Sequence, residues 1–168
     1  MKKILLFVLV ITLTVLLQNG AKAQLSQKAN EQFFDYNNAI GICLGTNNGI
    51  TFKTFTTERQ AIEAILSFSY ENSDNIFRLT GLYEFYTHTG AADGLLWYYG
   101  VGASIGSRNN RSSGANDTWL SVDGVVGLDY KFQKAPINLS LDWRAGVEFL
   151  PITRFDFGGP SVSVRFTF

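Results

Sequence analysis

The sequence predicts an all-β protein closed as an eight-stranded antiparallel up-and-down barrel. Three observations carry that prediction. From Ala39 onward the chain falls into eight runs in which apolar and polar residues alternate with a period of two, the spacing at which strand side chains share a face. Clusters of Asn, Gly, Asp and Pro, which supply turn conformations, separate the runs. The count is even, so an up-and-down chain brings its last strand back to the side where it began.

The elements follow in order. Residues 1–23 read as a secretory signal peptide: Lys2 and Lys3 precede the apolar stretch Ile4–Leu17, and Ala21-Lys22-Ala23 sets small residues before a cut at Gln24. The apolar stretch is shorter than the roughly 18 residues that argue a spanning helix. No Cys stands at the cut, so no lipoprotein anchor is expected. Residues 24–38 form a polar tail or plug with Phe33, Phe34 and Tyr36 interspersed. The barrel occupies residues 39–168 as one domain. Its runs are Ala39–Gly45, Ile50–Thr56, Ala61–Tyr70, Ile76–Thr87, Leu95–Gly106, Thr118–Phe132, Ile137–Phe149 and Ser161–Phe168. Glu58–Leu66 also fits an amphipathic helix, but Ile62, Ala64, Leu66, Phe68 and Tyr70 continue the alternation and favour a strand. The remaining segments are connections, the longest being His88–Gly94, Ser107–Asp117 and Leu150–Pro160, with Gly158-Gly159-Pro160 expected as a turn.

Composition excludes some classes. The chain carries 14 Lys and Arg against 14 Asp and Glu. Loss of Lys2, Lys3 and Lys22 with the leader leaves it mildly acidic, without a basic footprint for nucleic acid. Cys43 is the single cysteine, so no intramolecular disulfide forms.

Alternation does not say which face points inward. A soluble lipocalin-like barrel keeps apolar residues inside, whereas a membrane barrel shows them to lipid. Several runs reach the roughly 9–11 residues that a tilted strand needs to cross hydrocarbon. With the N-terminus periplasmic, apolar-face aromatics gather toward two rims: Phe85, Trp97, Tyr99, Tyr130, Phe132, Phe166 and Phe168 at one, Phe68, Tyr70, Phe77 and Phe149 at the other. The polar face is rich in Gly and Ser, as in Gly100, Gly102, Ser104 and Gly106, which suits a crowded lumen. The His88–Gly94 link is long for a periplasmic turn. On balance the sequence favours the membrane form.

These residues resemble the small eight-stranded outer-membrane barrels of the OmpA-domain and OmpX type, and the compact single-domain barrels of Bacteroidota. The resemblance covers the chain from about Ala39. Its most specific element is the last strand, where Phe166 and Phe168 match the family's aromatic ending; Ser163 stands where the family favours Gly. It implies recognition of Phe166 and Phe168 by the outer-membrane barrel assembly machinery, residence in the outer membrane, and contact with its lipid and lipopolysaccharide. No appended peptidoglycan-binding domain is expected.

On this register the lumen receives Lys53, Arg78, Lys131, Arg144 and Arg165 together with Glu63, Glu84, Asp123, Asp129, Asp142 and Glu148. Near balance of charge in a narrow barrel predicts a paired structural plug, since isolated buried charges are costly. Cys43 is expected to face inward among Ala39, Gly41 and Gly45 as a small buried residue. Arg108 and Arg111, in the 107–117 segment, are candidates for touching surface glycans or lipopolysaccharide phosphates. His88 falls in a turn without a nucleophile or acid beside it, and no metal-ligand spacing is present. No catalytic residue, cofactor or metal is therefore expected. The function this predicts is a structural or surface-interaction role in the outer membrane. A narrow pore for small solutes and a soluble secreted lipocalin-like binder are the alternatives, and the oligomeric state is open.

Overall fold

Alternating runs become strands because each can bury one face while its backbone pairs on both sides. The computed structural model describes residues 36–46, 48–71, 74–110, 116–149 and 153–168. The expected signal peptide, Arg111 and most of the expected tail lie outside these residues. Eight strands follow one another: β1 (Asn38–Gly45), β2 (Gly49–Thr57), β3 (Gln60–Glu71), β4 (Asp74–His88), β5 (Leu95–Asn110), β6 (Asn116–Lys131), β7 (Ile137–Glu148) and β8 (Arg154–Thr167). Each pairs antiparallel with its neighbour in sequence, and β1 pairs with β8 from Ala39 opposite Thr167 to Gly45 opposite Ser161. The sheet is thus a closed up-and-down barrel. The eight runs and their order are borne out, and Glu58–Leu66 contributes to a strand and its turn.

Closure removes the sheet edges over the height that β1 and β2 span. It also fixes a lower end, which carries the entry to β1, the exit from β8 and the turn at Glu58–Arg59, and an upper end opposite it. Asn38 and Phe168 exchange backbone hydrogen bonds of 2.9 Å at the lower rim, which tie the start of the barrel to its finish.

Two connections differ from expectation, and one residue of the N-terminal segment packs on the barrel. Most of the 107–117 segment is strand: β5 continues through Asn110 and β6 begins at Asn116, with Arg108 opposite Asp117. Polar residues hide a strand once its outer face leaves the apolar zone, because pairing needs only backbone. Gly158-Gly159-Pro160 is not a turn but the middle of β8. The pairing with β7 shifts between Arg144 and Gly146, and Gly158 takes a φ of 59°. A Cβ there would fall 1.4 Å from the Arg144 carbonyl oxygen. This bulge switches the phase of β8. Below it Val162, Val164 and Phe166 face outward; above it Phe155 and Phe157 do, and Asp156 turns inward. Finally, the chain bends at Asn37, and Tyr36 from the expected polar tail is buried beneath the barrel against Phe55 at 5.3 Å.

The outer surface is apolar over most strands. Ile40, Ile42, Leu44, Phe52, Ile62, Leu79, Val101, Leu120, Val126, Leu141, Trp143 and Val164 are all exposed. Aromatic pairs stand near the lower rim (Phe85 with Tyr99, Tyr130 with Phe132, Phe166 with Phe168) and near the upper (Phe68 with Phe77, Phe155 with Phe157).

Candidate functional site

The interior is where this barrel concentrates its chemistry. Inward positions of β1 hold only Ala39, Gly41, Cys43 and Gly45, and this thin wall leaves width for long cations from other strands. Lys53 on β2 is fully buried. Its ammonium lies 2.9 Å from Glu84, 3.5 Å from Glu63 and 3.6 Å from Asp129. It donates to the Tyr86 hydroxyl at 2.6 Å, and that hydroxyl donates in turn to Glu84 at 2.8 Å. The Tyr98 ring, 4.8 Å away, covers another side.

Arg165 on β8 forms the second centre. Its guanidinium donates to Glu63, to Asn138 Oδ1 at 3.1 Å, to Ser140 Oγ at 2.8 Å and to Thr51 Oγ1 at 3.4 Å. Asn138 also donates to Asp129, and Thr51 to Glu63. A closed circuit results: Lys53, Asp129, Asn138, Arg165, Glu63 and back to Lys53. It joins β2, β6, β7, β8 and β3 across the lumen. A charge in low dielectric must be matched by opposite charge and hydrogen bonds together, and this circuit supplies both.

Above it, Arg144 donates to Asp142 at 2.7 Å and reaches Cys43 Sγ at 3.2 Å, which links β7 to β1. Tyr98 donates to Asp142 at 2.9 Å. Higher still, Arg78 donates to Asp123 at 2.7 Å and to Ser104 at 3.1 Å, lies 3.8 Å from Asp156 and packs over the Trp119 ring at 5.0 Å. Glu148 pairs with Arg154 at 3.2 Å near the upper rim. At the lower rim Lys131 donates to the carbonyls of Phe132 and Ala135, each at 2.9 Å.

The structure therefore places every lumen charge named from the sequence on the inner side, but not in one network. Lys53, Glu63, Glu84, Asp129 and Arg165 form the circuit; Asp142 and Arg144, then Arg78 and Asp123, lie above it; Lys131 and Glu148 stand near the rims. Arg108 is half-buried on β5, not on a free loop. His88 is the last residue of β4 and is exposed. Phe166 and Phe168 face outward, 54% and 59% exposed. Cys43 is fully buried.

Sequence reasoning did not single out the neutral partners Thr51, Tyr86, Tyr98, Asn138 and Ser140, and it placed Ser104 in the lumen without naming its charged partners. Their inward parity was the available signal. It also missed Asp156, whose parity reads as outward until the bulge is known. Between Arg78, Asp123, Arg144 and Asp156 the interior leaves a void of about 10 Å³, room for roughly one water. An open cleft of about 350 Å³ lies outside the lower end, lined by Tyr36, Lys131, Lys134, Pro136 and Phe168. Among the described residues no group of three or more His, Cys, Asp or Glu is placed to hold a metal ion.

No protein-family model matches this sequence, and no curated protein matches it. Among solved structures, Neisserial surface protein A is similar, with a TM-score of 0.53 and 14% sequence identity over 79% of this chain and 94% of that one. At such identity the likeness is one of fold: a closed eight-stranded antiparallel barrel.

Proposed function

We propose that the protein is an integral outer-membrane barrel with a structural or surface-interaction role and a lumen closed by its own charges. One observation carries this reading: the barrel is inverted relative to a soluble one. Leu139, Leu141 and Trp143 are exposed on the same strand whose Asn138, Ser140, Asp142 and Arg144 are buried. In water that arrangement forfeits the hydrophobic effect along every strand; in lipid it is the favourable one. Backbone pairing around the closed sheet meets the other demand of lipid, which offers no hydrogen-bond partners. Aromatic pairs near both rims fit two membrane interfaces.

The orientation that suits this reading puts the start of β1 and the end of β8 in the periplasm and the upper ends of β4, β5 and β6 outside. Ser107 and Asn109 on β5 and Thr118 on β6 face outward beyond the apolar zone, so these strands extend past the bilayer into a polar protrusion. This protrusion is the surface we assign to contacts with lipopolysaccharide or other surface molecules, with Arg108 at its inner wall. Phe166 and Phe168, at the lower outer rim, are assigned to recognition by the assembly machinery. The role is not catalytic.

Cell fractionation followed by electrophoresis of boiled and unboiled samples tests the reading. The protein is expected in the outer-membrane pellet, with a mobility shift on heating. Recovery in the soluble periplasm or medium without detergent would overturn it.

A further inference from the structure

We propose that the barrel thins the outer leaflet beside β1 and β2. This inference rests on the membrane reading above and adds the shape of the lipid that surrounds the protein.

The lower ends of the strands sit close together around the rim: Asn38 beside Phe168, Thr57 opposite Gln60, His88 opposite Leu96, Lys131 opposite Asn138 and Ile137 opposite Phe166. Differences in strand length therefore appear at the top. β1 and β2 have 8 and 9 residues, β5 and β6 have 16 each. For strands tilted by roughly 40°, that is a wall about 20 Å tall against one about 40 Å tall. The apolar outer face follows the same slope. It ends at Leu44 on β1 and Ile50 on β2, but reaches Leu120 on β6, Phe149 after β7 and Phe155 on β8. The belt is then about 18 Å high beside β1 and β2 and about 30 Å elsewhere, where an ordinary hydrocarbon core is about 30 Å.

Backbone chemistry makes the same demand independently. The last bond between β1 and β8 is from the Thr46 N–H to the Pro160 carbonyl, 3.2 Å. Above it, among the described residues, Arg154–Asp156 and Gly159 of β8 pair only with β7, while at the bulge the Phe157 carbonyl accepts from Trp143 Nε1 and the Gly158 N–H donates to Asp156. On the other side the Phe68 N–H donates to the Asn48 carbonyl at 2.9 Å, and above that β3 pairs only with β4. A gap two strands wide thus opens over the hairpin tip, bordered by backbone that has no neighbouring strand on one side among the described residues. Such backbone does not persist in hydrocarbon. Phe68 and Phe155 with Phe157, the last 77% exposed, flank this gap as aromatics do at an interface. The protein is rigidly braced from within, so the lipid yields: headgroups descend by about 10 Å over this sector.

Depth-dependent quenching tests this. In a Cys43→Ser background that retains its heat-shifted mobility, single cysteines replace Leu44, Ile50, Leu120, Phe149, Leu141, Ile40 and Trp97. Each is labelled with bimane and reconstituted in phosphatidylcholine vesicles with 16- and 18-carbon chains. Nitroxides are placed at the lipid headgroup or at mid-chain. Labels at Leu44, Ile50, Leu120 and Phe149 are all expected to be quenched best by the headgroup nitroxide, and the label at Leu141 by the mid-chain one. Stronger mid-chain quenching at Leu44 and Ile50 would mean an undeformed leaflet. Protection of these two from both nitroxides would mean a protein cover. Unequal depth for Ile40 and Trp97, on opposite walls near the base, would mean that the barrel tilts. Each of these three results overturns the thinning. A Leu141 label that no lipid nitroxide reaches would instead sink the membrane reading itself.

Discussion

Arg165 brings one guanidinium to acceptors on three other strands and is itself fully enclosed. Replacing it removes one of the two cations paired with Glu63 in low dielectric and the anchor of Asn138, which donates to Asp129. Arg165→Met is therefore expected to destabilise the barrel by about 3–5 kcal/mol, read as a lower urea midpoint in lipid vesicles. The double variant Glu63→Gln, Arg165→Met should lose less than the sum of its parts, because it removes charge and countercharge together. Additive losses would mean that the two do not act as a pair. Charged members of this circuit were legible at sequence level, since a charge on the polar side of a strict alternation has one place to go. Which charges meet was not. Lys53 and Asp129 are far apart in sequence, and only closure of the sheet brings them within 3.6 Å.

At the scale of elements, β8 shows both the strength and the limit of pattern reading. From Ser161 to Phe168 the alternation is strict and the strand was evident. Above Pro160 the phase slips by one residue at Gly158, and two glycines beside a proline look like a turn. Glycine is needed at 158 because φ is positive and the Arg144 carbonyl fills the space of a side chain. Gly158→Ala is expected to cost about 1–3 kcal/mol in strain alone and to lower the temperature at which the heat-modifiable form is lost. Gly81→Ala is the control: its added methyl meets nothing within 4 Å and should leave that temperature unchanged. Equal effects of the two substitutions would show that the bulge imposes no special demand. β5 and β6 teach a related lesson. Their upper ends carry polar residues on the outer face, so hydrophobic period stops reporting them while backbone pairing continues to Asn110 and Asn116.

For the whole molecule, the proposed role depends on the lumen being closed. An eight-stranded barrel has an interior just wide enough for side chains, and here Lys53 and Arg165, then Arg144, then Arg78 occupy it from the circuit upward. Planar-bilayer recordings are expected to show no large, steady conductance. Arg144→Leu should lower stability through the unpaired Asp142 while changing permeability little. A wild-type protein that conducts steadily would replace the plug with a pore. The sequence by itself determined that the chain is all-β, that it makes eight strands, and which side chains share a face, because strand geometry alternates locally and needs no distant partner. Only the tertiary structure decided which buried charges pair, where β8 changes phase, and how unequal the walls are. Those are properties of the register around a closed ring, and a closed ring is fixed by the meeting of β1 with β8 at opposite ends of the barrel chain.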